Sequence, residues 1–296
     1  MVESFIIRLT RKTVGEQRKF IPGIIPPADR SSLAFWFAFL DTKLLVHLEA
    51  SSVRLPILAH FEEMGLTVLR QNYLGVLDDR PCYAVELGEG TLPPAGMSFE
   101  GLRQLYGRLE ENLFWVAARA VQIAEWDRTH QFCGQCGTPL KTRVTERAKE
   151  CPQCGLLHFP RLSPAIIVLV QRGQELLLAR SRHFLPGMYS VLAGFVEPGE
   201  SLEEAVAREV KEEVGLTIKD IRYFGSQNWP FPHSLMIGFT ATYAGGEISP
   251  NDDEIEAAGW FTADTLPPIP GKISIARKLI DWFMSKQSDS PNQNEE

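Results

Sequence analysis

The chain has few of the features that would send it to a membrane, out of the cell or onto bulk nucleic acid. No apolar run approaches the ~20 residues that span a bilayer; the longest, residues 33–40, is short enough for one buried strand. The first residues, Met-Val-Glu-Ser, lack the basic-then-apolar order of a secretory leader. The last, Asn-Glu-Glu, form no peroxisomal or prenylation tag. A cytoplasmic protein with no membrane partner is the expectation. Positive charge is also scarce: 30 Lys and Arg against 37 Asp and Glu give a net charge of −7. That argues against broad phosphate-driven binding of nucleic acid, while leaving room for a local basic patch such as residues 141–147 or for an RNA end at one specific site. Cysteine is sparse too, 5 in 296 residues, so a disulfide framework is not expected.

What is present is concentrated in the second half. Residues 194–216 read GFVEPGESLEEAVAREVKEEVGL. Ser201 followed by Glu204 has the form of a capping box, and Gly215 is a natural helix stop, so a helix over residues 201–214 is expected. At ~100° per residue, Leu202, Ala205, Val206 and Val210 share one face. Glu209 and Glu213 fall in the middle of that apolar face, with Glu212 at its edge. A buried carboxylate costs several kcal/mol unless it is paired or bound to metal. One neighbouring cation, Arg208, cannot neutralise three clustered acids. A hard divalent ion, Mg²⁺ or Mn²⁺, can. A merely solvated charged face would set the acids opposite the apolar stripe, not inside it.

Cys133-Gly-Gln-Cys136 and Cys151-Pro-Gln-Cys154 form two C-x2-C pairs with fourteen residues between them. Four thiolates at this spacing suit one structural, tetrahedral Zn²⁺ with no open coordination position. Such a site would supply folding energy to a segment of about 30 residues with little core. A redox pair would not need a second copy nearby. His130 and His158 flank the module and are left out of the coordination sphere.

Residues 194–216 resemble the Nudix box, G-x5-E-x7-R-E-U-x-E-E-x-G-U, where U is a bulky aliphatic. Gly194, Glu200, Arg208, Glu209, Val210, Glu212, Glu213, Gly215 and Leu216 each match. A second stretch, Ser226-Gln-Asn-Trp-Pro-Phe-Pro-His-Ser234, resembles the S-Q-P-W-P-F-P-x-S array of the NADH pyrophosphatases within that superfamily; Asn228 departs, standing where proline is usual. Prolines stiffen such a loop, while Trp229 and Phe231 offer flat apolar surface and Gln227, His233 and Ser234 polar contacts.

The resemblance spans roughly residues 99–281, ribbon included. It implies an α+β chain: a Nudix α/β/α sandwich with a zinc ribbon and a β-rich N-terminal domain. The expected domains are 1–127, mixed α/β; 128–160, zinc ribbon; 161–285, Nudix hydrolase; and 286–296, a disordered tail. The implied activity is hydrolysis of the NAD(H) pyrophosphate to NMN(H) and AMP, with removal of NAD caps from RNA 5′ ends, by a homodimer. The implied roles are specific. Glu209 and Glu213 ligate the catalytic metal, Glu212 assists, and Glu213 handles the proton of the attacking water. Arg208 orients the acids, and Gly194, Glu200 and Gly215 support the box. The Ala193 carbonyl and Glu254 complete the metal set, with Asp252, Asp253 and Glu256 as alternatives to Glu254. The 227–234 array, with Asn228, Pro230 and Pro232 among it, binds substrate. Phe195 and Phe159 stack on the nicotinamide end; relatives often carry tyrosine at the latter position. Arg103, Glu146 and Ala276 complete the implied contacts. The competing readings are another Nudix substrate, such as ADP-ribose or a diadenosine polyphosphate, and a zinc-ribbon binding protein on a dead Nudix fold. The Trp-Pro-Phe-Pro stretch argues against the former, the intact glutamate set against the latter.

The rest is plainer. Short strands are expected near residues 5–9, 33–40, 44–48, 67–69, 73–77 and 82–87, with a hairpin turn at Asp41-Thr42. A linker is expected over 92–98 and a long helix over 99–128. In the Nudix segment, strands are expected over 165–170, 175–179, 189–193, 221–225 and 235–243, with another ending near Phe261 and a closing helix over 273–284. Cys82 reads as a buried apolar residue, and His47 and His60 as structural.

Overall fold

A computed structural model describes residues 19–29, 31–49, 52–251 and 253–288. The strand expected over residues 5–9 and the end of the expected tail, residues 289–296, lie outside them. The chain divides into two compact units, Met1–Pro160 and Arg161–Glu296.

The first unit is built on an eight-stranded sheet. Its order is Phe20–Pro22, Val68–Leu77, Arg80–Leu87, Ala34–Leu40, Lys43–Leu48 and Val53–Arg54, with Ile57–Leu58 and Met97–Gly101 added at the side. The expected hairpin forms between Ala34–Leu40 and Lys43–Leu48, with Asp41 at φ 54° in its turn. The two short strands expected over 67–77 are one continuous strand, Val68–Leu77. The long helix expected over 99–128 is not one element: Met97–Gly101 is a strand pairing with Lys43–Leu48, Leu102–Leu105 is a single helical turn, and only Glu111–Thr129 is the long helix. Gly107, at φ 77°, sits in the break between the two helical segments, a backbone state that glycine enters without strain. The Glu111–Thr129 helix packs against Val68–Leu77, Arg80–Leu87 and Ala34–Leu40. Cys82 is fully buried, and that burial pushes its thiol up to about 12, as expected of an inert apolar filler. The ribbon is a small three-stranded sheet of Lys141–Thr142, Lys149–Glu150 and Leu157–His158.

The second unit is an α/β/α sandwich. Its sheet runs Thr217–Trp229, Ser234–Gly245, Ser163–Arg172, Glu175–Ser181, Ile255–Phe261, with Leu192–Phe195 also pairing Ser163–Arg172. Ser163–Arg172 runs parallel to Ser234–Gly245, and the remaining pairs are antiparallel. The central strand is apolar on both faces because both are covered. Ile166, Val168 and Val170 pack towards the Leu202–Val214 helix, whereas Ile167 and Leu169 pack towards the closing helix, Ile275–Ser288. That last helix runs to Ser288, beyond the expected end at residue 284.

Candidate active site and zinc centre

The Leu202–Val214 helix begins as its sequence dictates. Ser201 is the N-cap: its hydroxyl accepts from Glu204 N–H at 3.3 Å, while its own N–H donates to the Glu204 carboxylate at 2.8 Å. Gly215 ends the helix at φ 76°, a conformation that favours glycine. The buried face consists of Ala205, Val206, Val210 and Val214 together with two acids, Glu209 and Glu213, only 9 % and 7 % exposed.

Arg208 is the hub that holds the acids. Its guanidinium donates to Glu209 Oε1 at 2.9 Å, Glu212 Oε2 at 3.0 Å, Glu200 Oε2 at 2.9 Å and the Phe195 carbonyl at 3.0 Å. This contact chiefly holds the Glu200 carboxyl well down, at about 2. Gly194 is required beside Glu209: a Cβ there would lie 1.9 Å from the Glu209 carboxyl carbon. The strand Leu192–Phe195 therefore passes directly over that carboxylate, bringing the Ala193 position with it.

Glu213 is different. Its Oε2 is buried and accepts no hydrogen bond. Burial first, then the charges of Glu209, Glu254 and Glu212, push its carboxyl up to about 8. Burial also raises Glu209, with Arg208 opposing. A buried carboxylate oxygen without a donor is costly. Hard oxygen donors on an apolar face, one of them orphaned, fit a Mg²⁺- or Mn²⁺-type cation. Glu254, on the acidic segment expected from the sequence, reaches this neighbourhood through Asn251, a residue the sequence did not mark. Asn251 N–H donates to the Glu213 carbonyl at 2.9 Å, Glu254 N–H donates to the Asn251 carbonyl at 3.0 Å, and Asp253 N–H donates to Asn251 Oδ1 at 3.2 Å. Asn251 thus ties the acidic turn to the end of the box helix. Its Asx turn was the available sign. Asp252, one of the alternatives to Glu254, lies outside the described residues, and Glu256 pairs with Arg180 at 3.2 Å.

The 227–234 stretch is less of a loop than its prolines suggested. Gln227, Asn228 and Trp229 close one strand, and Ser234 opens the next. The Phe231–Pro232 peptide is cis. Trp229 and Phe231 meet edge-to-face at 5.1 Å, and Pro230 is buried while Pro232 is exposed. His233 Nδ1 lies 3.1 Å from the Ser163 hydroxyl, and Ser234 is buried in parallel register with Ser163. Gln227, expected as a polar substrate contact, has its amide committed elsewhere: Nε2 donates to the Ile273 carbonyl at 2.7 Å and Oε1 accepts from Ile275 N–H at 2.6 Å. It anchors the start of the closing helix. Ala276, also expected to touch substrate, is 5 % exposed inside the core under that helix. Phe195 stands open at 60 %. Arg103, Glu146 and Phe159 belong to the first unit. Arg103 lies on the Leu102–Leu105 turn, Glu146 pairs with Arg143 at 2.9 Å, and Phe159 is exposed.

The zinc cysteines come together. The donor sulfurs of Cys133, Cys136, Cys151 and Cys154 all lie within 4.8 Å of one another, a clustering that no other group of His, Cys, Asp or Glu matches among the described residues. Their contacts are 3.6 Å for Cys133–Cys154, 3.4 Å for Cys136–Cys151 and 3.8 Å for Cys136–Cys154. A tetrahedron of thiolates at ~2.3 Å from Zn²⁺ has edges of about 3.8 Å; a disulfide would need ~2.05 Å. The two knuckles are near copies. Gly137 N–H donates to the Cys133 carbonyl and Gly155 N–H to the Cys151 carbonyl, with the glycines at φ 72° and 73°. The ribbon is joined to the long helix of its unit by a buried ion pair, Lys149 Nζ to Asp127 Oδ1 at 2.5 Å, and Lys149 also donates to the Asp127 and His130 carbonyls.

Comparison with known proteins agrees with this architecture. Family models match a NUDIX domain over residues 160–283, an NADH pyrophosphatase zinc ribbon domain over 128–159 and an NADH pyrophosphatase-like rudimentary NUDIX domain over 33–126. The chain is 51 % identical over 230 residues to a NAD-capped RNA hydrolase NudC of Stutzerimonas stutzeri, covering 78 % of this chain and 83 % of that one. Against a protein of the same name from Pseudomonas aeruginosa the identity is 52 % over 223 residues, 75 % and 80 % of the two chains. Against one from Chromobacterium violaceum it is 49 % over 216 residues, 73 % and 81 %.

Proposed function

The chain belongs to the Nudix hydrolase family, in its zinc-ribbon, NADH pyrophosphatase-like branch, and from that premise we propose that it hydrolyses the pyrophosphate of NAD(H) to NMN(H) and AMP and removes NAD caps from RNA 5′ ends. The observation that carries the reading is the orphaned Glu213 carboxylate oxygen beside Glu209, on a helix face that should be apolar throughout.

Water adds across the pyrophosphate. One P–O bond breaks, each half leaves as a phosphomonoester, and the water's proton must be taken up. Glu209, Glu213, Glu254 and the Ala193 carbonyl would hold the catalytic cation, which supplies charge neutralisation on the phosphates and acidifies bound water. Glu213 accepts the proton. Glu212 assists at the exposed edge. Arg208, tied to Glu200, keeps the acids in register without touching phosphate. Trp229, Phe231 and Phe195 offer the stacking surface, with Asn228, His233 and Ser234 at its polar border; Pro230 and Pro232 stiffen the turn. Gln227 acts through the closing helix that it anchors, and Ala276 lies buried on the inner face of that helix. Arg103, Glu146 and Phe159 are further candidate substrate contacts. One Zn²⁺ per chain holds the ribbon. The same reading makes the enzyme a cytoplasmic homodimer, supported by exposed apolar side chains on the ribbon such as Phe132 and Val144; no helix among the described residues is long and apolar enough to cross a membrane.

The test is a product assay with Mg²⁺ or Mn²⁺, comparing NADH with a 5′-NAD-capped RNA at matched concentration. Release of NMN(H) is expected from both, and the ratio of kcat/KM ranks them. Cleavage of ADP-ribose alone would keep the Nudix chemistry and discard the substrate reading.

A further inference from the structure

Glu254 is exposed and stands one residue before the strand Ile255–Phe261. A carboxylate so placed would ordinarily be ordered only when a cation binds, and that ordering weakens binding. Here the turn that carries it is fixed at both ends. On the strand side, Ile255 is buried in register with Ser181, and Glu256 pairs with Arg180 at 3.2 Å. On the other side, the contacts run through Asn251.

The Leu202–Val214 helix ends in carbonyls that no residue of the helix can satisfy. Gly215 N–H takes the Lys211 carbonyl at 3.0 Å. The next free ones are taken from a distant segment: Asn251 N–H donates to the Glu213 carbonyl at 2.9 Å and Ser249 N–H to the Val214 carbonyl at 3.0 Å. The residue whose side chain carries the orphaned oxygen therefore has its own carbonyl bound to Asn251. The two segments approach closely, since a Cβ on Gly215 would lie 3.2 Å from the Glu247 carbonyl oxygen.

Asn251 then turns the chain back. Its carbonyl accepts from Glu254 N–H at 3.0 Å and from Ile255 N–H at 2.8 Å, and its Oδ1 accepts from Asp253 N–H at 3.2 Å. Such an Asx turn holds the backbone that leads into Glu254 in one conformation. The charge of Glu254 acts on both Glu213 and Glu209, so the turn delivers the third acid to the other two. Of the contacts made by Asn251, only the Oδ1 acceptor belongs to its side chain. That acceptor is what the identity of residue 251 contributes.

We propose that Asn251 is a positioning residue for the catalytic cation: by closing the acidic turn against the Glu213 carbonyl, it holds Glu254 beside Glu213 and Glu209 before the cation arrives. The proposal rests on the reading above in which Glu254 is a ligand of that cation.

The test is Mn²⁺ titration of the zinc-loaded full chain by calorimetry, with the Mn²⁺ dependence of NADH hydrolysis as a second measurement. Asn251→Ala should weaken Mn²⁺ binding by about tenfold, the scale on which residues that orient a metal ligand act. The Mn²⁺ concentration at half-maximal rate should rise by the same factor, while kcat at saturating Mn²⁺ changes far less. Asn251→Asp, which keeps an acceptor at Oδ1, should recover most of the affinity. Because Asn251 is exposed, zinc content and melting temperature should stay near those of the parent. Glu254→Gln separates the proposal from its premise. It should weaken Mn²⁺ more than Asn251→Ala does, and Asn251→Ala added to it should weaken Mn²⁺ no further. A residue of merely structural importance would add its loss in either background. If Glu254→Gln leaves Mn²⁺ affinity unchanged, the assignment of Glu254 as a ligand fails and the proposal with it. If Glu254→Gln weakens Mn²⁺ but Asn251→Ala does not, if the two losses add, or if Asn251→Asp is as weak as Asn251→Ala, the premise stands and the proposal is overturned.

Discussion

The helices Glu111–Thr129 and Leu202–Val214 each pack against a sheet in their own unit, and they bury opposite chemistry. The first buries ten residues, all apolar, from Leu113 to Trp126. The second buries six, of which two are glutamates. The family models match both regions as NUDIX, the earlier one as a rudimentary form. A sheet-and-helix layer needs only an apolar face to be stable. The acids of the second helix add nothing to packing and are retained against the cost of burying them. The difference between a supporting and a hydrolytic domain thus rests on a few side chains, on the arginine that fans over them and on the glycine that makes room.

Glu213→Gln removes the orphaned carboxylate and keeps its shape. Turnover should fall by about 10³-fold, while the melting temperature of the cation-free protein stays level or rises. Steady-state rates and calorimetry read the two arms; turnover surviving near the wild-type level would mean that Glu213 is not the proton acceptor. The converse change places an acid where no cation awaits it. Ala117 is fully buried on the Glu111–Thr129 helix, and Ala117→Glu should cost roughly 3–5 kcal/mol in urea denaturation. A loss below ~1 kcal/mol would show that this face tolerates acids as the other does. Gly194→Ala pushes a methyl into the Glu209 carboxylate. Activity should drop by about 10²-fold through misplacement of that acid, with the zinc content unchanged; unchanged kcat would mean that the strand yields instead.

A further effect is in pH. Burial and the neighbouring acids push the Glu213 carboxyl of the cation-free protein up to about 8, above its ordinary 4.5, so the folded state binds the proton more tightly than the unfolded chain. Below about 4.5 both states are protonated and nothing is lost. As pH rises from 4.5 to 8 the cation-free protein should lose stability, by no more than ~1.4 kcal/mol per pH unit from this group. Subtracting the Glu213→Gln profile isolates the slope. Parallel profiles would mean that the folded carboxyl titrates where the unfolded one does.

Much of the site was legible because its chemistry is local. Helix capping at Ser201, the stop at Gly215 and the intrusion of Glu209 and Glu213 into an apolar stripe all follow from spacing within one helix. The four cysteines follow from two short turns of the same kind. The break at Gly107 was less legible, because apolar residues on both sides of it continue a helical period while the Met97–Gly101 segment is claimed by a strand partner more than fifty residues away. Propensity yields there to sheet pairing. Gln227 shows a related effect: an amide in a proline-rich stretch looks free, but the start of the closing helix occupies it.

The sequence by itself determined the acids set into an apolar helix face, the zinc knuckles and the family, because each depends on residues a few positions apart. Only the tertiary structure decided what those groups meet. It set Gly194 against Glu209, left one Glu213 oxygen without a donor, brought Asn251 to the end of the box helix and fixed Arg147 on carbonyls instead of carboxylates. Each of these is a contact between segments distant in the chain, chosen by which surfaces can be buried together, and no local spacing encodes it.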